Sequence, residues 1–167
     1  PNAMHHVFLP EWRRAFPGAM VHAAPGLRKK RPDIGFDADL GDAPHPDWED
    51  AIDQVVVPGN VILREVVFFH APSRTAIVAD LLQQLPPGWV SGWRGRVAKL
   101  DLMVGPEPST PRKFRAAFTD RRAARGAVAR MNVVCEKWAH RKADAEAHTA
   151  CTYSVESEVR RCRLTQY

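Results

Sequence analysis

The stretch that most constrains the fold is EVVFFHAPSRTAIVAD, residues 65–80. It carries the apolar run Val66, Val67, Phe68 and Phe69, then Ala71-Pro72-Ser73-Arg74, whose composition is that of a turn. A second apolar run, TAIVA, follows at residues 75–79, so the segment predicts a β-hairpin. The strand before the turn is read as residues 61–70. An earlier strand, residues 53–57, ends at Pro58-Gly59-Asn60. Runs that are apolar on both faces imply a sheet covered on both sides. Asp80 comes directly after the last strand, where α/β sheets often place their chemistry. It could equally be the N-cap of a helix starting at Leu81.

The N-terminal stretch PNAMHHVFLPEW adds a second candidate. His5 and His6 are adjacent, so in a strand they would point to opposite faces. In a loop both can turn toward one point, which a metal needs. The competing reading makes them ordinary surface residues of a loop.

The rest of the chain supplies covering elements. Pro10 predicts a short helix over residues 10–16, stopped by Pro17-Gly18. Residues 19–23 are read as a strand in which His22 is structural, and residues 27–31 as one helical turn. Residues 33–46 form a loop, with His45 in an exposed turn and with Trp48 and Ile52 anchoring it to the core. Residues 89–103 are read as a helix that turns Trp89 and Trp93 inward. Short helices are expected at 112–118 and at 121–131, the second capped by Thr119 or Asp120. Residues 132–139 are read as a strand ending at His140. After that the pattern weakens, and residues 141–167 are expected to be a poorly packed tail.

A chain of 167 residues suggests one domain with room for a real core. The net charge of +5 is concentrated partly in Arg112, Lys113, Arg115, Arg121, Arg122, Arg125 and Arg130. Without helix-turn-helix or zinc-finger patterning, this is read as a solvated helix face and not a nucleic-acid surface. Cys135, Cys151 and Cys162 form no CxxC pair and read as reduced thiols of a cytoplasmic protein. There is no apolar run of membrane-spanning length and no signal-peptide pattern, so no membrane partner is expected.

Taken together, PNAMHH, PGLRKKRPD, Gly59-Asn60, EVVFFHAPSRTAIVADLLQ and the arginine-rich stretch after FRAAFTDRRAA resemble the metallo-β-lactamase superfamily, in an uncharacterised bacterial branch. The resemblance spans residues 1–140, leaving 141–167 as a divergent tail. Arg141 stands where a glycine usually follows the late histidine. The resemblance implies an α/β fold, a four-layer αββα sandwich with metal at one edge of its two sheets. It also implies that strands normally preceding the histidine loop are missing. A missing N-terminal segment, a compensating homodimer or a distorted partial fold would follow.

Mapped onto the superfamily's HxHxDH loop, His6 matches the last histidine and His5 falls on the aspartate. Pro1, Ala3 and Asn60 fall on first-site histidines. The resemblance therefore leaves His5, His6, Asp80 and His140 as metal ligands, enough for one divalent ion, zinc, iron or manganese, and not for a binuclear centre. It implies a metal-binding domain of hydrolase type acting on a small molecule that the sequence does not identify. The alternative is a degenerate, metal-free relative that serves as a binding or regulatory scaffold.

Overall fold

The computed structural model describes residues 1–140, with side chains through residue 134. The described residues form a mixed α/β structure with two small sheets and five helices. The tail expected over residues 141–167 lies outside the described residues.

Helix α1, Leu9–Ala15, starts with proline in its first turn. Glu11 near its N-terminus and Arg13 and Arg14 in its last turn suit the helix dipole. The expected 10–16 helix is therefore present. The strand expected at 19–23 shrinks to β1, His22–Ala23, which pairs in parallel with β2, Ala38–Asp39. The short helix α2, Leu27–Lys30, lies between them. Arg28 holds this crossover by donating from Nε to Asp39 and from Nη1 to the Phe36 carbonyl. Ala23, Ala24, Leu27, Ile34 and Phe36 form a small apolar cluster beneath it.

The larger sheet is antiparallel, in the order β3-β4-β5. Its strands are β3, Ile52–Val57, β4, Glu65–His70, and β5, Thr75–Ile77. The hairpin is as expected, with His70 opposite Thr75 and Phe68 opposite Ile77. Residues 61–64 do not join β4. Asn60 redirects them by accepting the N–H groups of Ile62 and Leu63 on its Oδ1. Val55, Val57 and Val67 pack with Ala124 and Ala127 to form the main core.

Those alanines belong to α5, Arg121–His140, which lies on β3. The strand expected over residues 132–139 is corrected here, because the chain stays helical through that segment. No glycine or proline follows Met131, and Met131 and Val134 continue the stripe packed on the sheet. Burial on a preformed face outweighs the weak β preference of Val133-Val134. Asp120 caps the helix as expected, its Oδ1 accepting the Ala123 N–H at 2.9 Å. Gly59 docks this helix onto the sheet. Its φ is +83°, and a Cβ there would collide with the Asp120 carbonyl oxygen.

Two further expectations are corrected. Helix α3 spans Gly92–Leu100, but Trp89 and Trp93 are 74% and 71% exposed. The apolar stripe is real, yet it faces solvent, and the buried residue of α3 is the small Ala98. Arg94 sits over the Trp93 ring. No helix starts at Leu81 either. The N–H groups of Ala79, Asp80 and Leu81 are all taken by Glu65, and Gln83 pairs its backbone with Ser109. Asp80 is therefore not an N-cap. Helix α4, Arg112–Ala116, is close to expectation.

Candidate functional site

The N-terminal loop and the end of the hairpin meet around one buried carboxylate. Glu65 opens β4 and is 0% exposed. Burying an ionised carboxylate is costly unless its lone pairs are filled. Here Oε1 accepts the Ala79 N–H at 2.8 Å, and Oε2 accepts those of Asp80 and Leu81 at 2.8 and 3.1 Å. Asn2 adds a fourth donor, Nδ2 to Oε2 at 3.0 Å. The chain leaving β5 is thereby wrapped around Glu65, and this fixes the direction of Asp80.

Asn2 is itself buried and ties the N-terminal loop down at several points. Its Oδ1 accepts the Met4 N–H at 2.8 Å, the Asx-turn geometry natural to asparagine. Its carbonyl accepts the His5 N–H, and the Pro1 carbonyl accepts the Val66 N–H from β4. Its Nδ2 also donates to Asp80 Oδ2 at 2.9 Å, so one amide bridges two carboxylates.

This anchoring brings His5 to Asp80. His5 Nε2 and Asp80 Oδ2 are 2.8 Å apart, although 75 positions separate them in sequence. Asp80 Oδ1 accepts Gln83 Nε2 at 3.1 Å. The carboxylate is mostly covered, at 19% side-chain exposure, whereas His5 is open at 51%. A histidine oriented by a carboxylate that is itself held in place is a common arrangement for metal ligation and for proton transfer.

Of the other two expected ligands, His6 does not join this pair. His6 turns to the end of α2, where its Nδ1 accepts Arg31 Nη1 at 2.9 Å. Arginine can only donate, so that lone pair is engaged. Arg31 is locked in turn by two bonds to Asp33, at 2.8 and 2.7 Å. The guanidinium holds the Asp33 carboxyl below its ordinary range. His140 ends α5, and its side chain lies outside the described residues. Among the described residues no group of three or more histidine, cysteine, aspartate or glutamate side chains could hold a metal ion. Asn60 is committed to the backbone, donating Nδ2 to the Phe114 carbonyl as well as accepting from residues 62 and 63.

Sequence reasoning missed Glu65, Asn2 and Gln83. The available signal was a glutamate opening an otherwise apolar strand, which calls for local donors. His45, expected in an exposed turn, instead packs in a ring cluster with His22 and Trp48, at centroid distances of 4.9 Å to His22 and 5.1 Å to Trp48.

Searches against family models, curated proteins and solved structures found no match to this chain. No helix among the described residues is long and apolar enough to cross a membrane.

Proposed function

We propose that the end of the hairpin is a one-metal site of a metallo-β-lactamase-like domain, with His5 and Asp80 as its protein ligands. The observation that carries this reading is the meeting of His5 Nε2 and Asp80 Oδ2 at 2.8 Å. An imidazole and a carboxylate so close can reach one ion at about 2 Å from each donor. Glu65 does not contribute, because its oxygens are already engaged. Zinc, iron or manganese would suit a nitrogen–oxygen pair whose remaining positions are filled by solvent or substrate. When bound, such an ion supplies Lewis acidity toward a carbonyl or phosphoryl oxygen, the basis of a hydrolase reading.

The chain's own part is positioning. Glu65 fixes the backbone at Asp80, Asn2 and Gln83 fix its carboxylate, and the exposed His5 leaves the site open to a small molecule. The finer fold reading, a four-layer αββα sandwich, belongs to the same proposal. The packing of α5 on β3 supports it as one helix-on-sheet layer pair.

A second reading has its own support. Arg31 occupies His6, and Asn60 serves the backbone, so positions aligned with metal ligands are engaged by protein groups. This favours a metal-free relative that keeps the fold as a binding scaffold. Metal content of the wild type, Asp80→Asn and His5→Ala separates the two. Metal retained by the wild type and lost in both variants supports the first reading, and no metal in any of them supports the second.

A further inference from the structure

Helix α1 buries none of its residues, although it carries large apolar side chains. Trp12 and Phe16 are 62% and 53% exposed, and Met20 just beyond the helix is 52% exposed. Exposed apolar surface of this size on one short segment marks a recognition surface more often than bare solvent contact. Here it borders a concavity of about 440 Å³, lined by Leu9, Trp12, Arg13, Phe16, Met20 and His22 among others. That volume falls within the range of small-molecule sites. The Trp12 and Phe16 rings stack at 5.2 Å and 18°, giving the groove one aromatic wall.

The lining also contains polar groups without partners. The Arg13 guanidinium has no hydrogen bond or ion pair among the described residues, and neither has that of the adjacent Arg14. The Arg13 guanidinium lies beside Gly35, where an added Cβ would stand 3.4 Å from Nη1. His22 Nε2 is buried with no hydrogen-bond partner among the described residues. An unpaired cation at an apolar groove selects a ligand with an apolar body and one anionic group.

The geometry points to this groove as a binding site for a small amphiphilic anion, its apolar part along Trp12, Phe16 and Met20 and its carboxylate on Arg13. The site is independent of the His5–Asp80 pair and does not rest on the metal reading.

The test is calorimetric titration of the full chain with octanoate, with 1-octanol as the uncharged comparison. Octanoate is expected to bind more tightly than octanol. Arg13→Gln should weaken octanoate about tenfold, as loss of one charge-assisted contact does, and leave octanol unchanged. Trp12→Ala should weaken both. Arg94→Gln, on α3 and outside the groove, should change neither. Equal binding of octanoate and octanol would overturn the proposal, as would absence of binding by both. So would retention of octanoate by Arg13→Gln. Sedimentation with phosphatidylglycerol vesicles without octanoate binding would assign the face to a lipid surface instead. Self-association that excludes octanoate would assign it to a second copy.

Discussion

Glu65 and Asp80 are joined twice: the Asp80 N–H donates to Glu65 Oε2 at 2.8 Å, and the Asn2 amide donates to both carboxylates, at 3.0 and 2.9 Å. The buried residue organises the backbone, and the mostly covered one presents an oxygen to His5. Structure and candidate chemistry thus share one network, and its members can be tested separately.

Glu65→Gln should destabilise the protein strongly. The amide replaces an acceptor oxygen with a donor that faces backbone N–H groups already pointing inward. Buried donors left unpaired cost about 1–3 kcal/mol each, so a loss of roughly 3 kcal/mol is expected. Urea unfolding checks this. A loss under about 1 kcal/mol would show that the backbone donors find other partners.

Gly59 tolerates no side chain. With φ at +83° and the Asp120 carbonyl oxygen where a methyl group would go, Gly59→Ala meets both backbone strain and a clash. A cost of about 2–4 kcal/mol is expected, with α5 displaced from β3. Thermal unfolding followed by circular dichroism measures it.

Trp93→Ser should be nearly neutral, within about 0.5 kcal/mol, because the ring is 71% exposed. A buried aromatic would cost about 3–5 kcal/mol, so the same urea experiment separates the two orientations cleanly.

Arg31→Met should change the proposed metal site in the opposite sense to ligand removal. Freeing His6 Nδ1 from the 2.9 Å contact returns an imidazole to the pool of donors in the same loop. Tighter binding of zinc or manganese is expected, reversed by adding His6→Ala. Unchanged affinity in Arg31→Met would show that His6 cannot swing to Asp80.

The parts of the fold read correctly from the sequence were those with local causes. The hairpin of β4 and β5 followed from apolar runs and a proline-serine turn, and α1 from Pro10 and Pro17. The errors came where a distant group decided the outcome. The N–H groups after β5 went to Glu65 and not into a helix, and the valines after Met131 stayed helical because β3 offered a face. The tryptophans around α3 had core-like spacing, but periodicity does not say which side of a helix is covered. At the site, Asp80 and His5 could be picked out by residue type and position. Nothing local in the sequence linked His6 to Arg31, or Asn2 to both carboxylates, since those pairings depend on tertiary approach.

The most direct test of the central claim is elemental analysis of the purified wild type beside Asp80→Asn, after reconstitution with zinc, iron and manganese in turn. The account predicts about one equivalent of one of these metals in the wild type and none in the variant, as expected of a single site that depends on the carboxylate. Metal absent from both, or equally present in both, would contradict it.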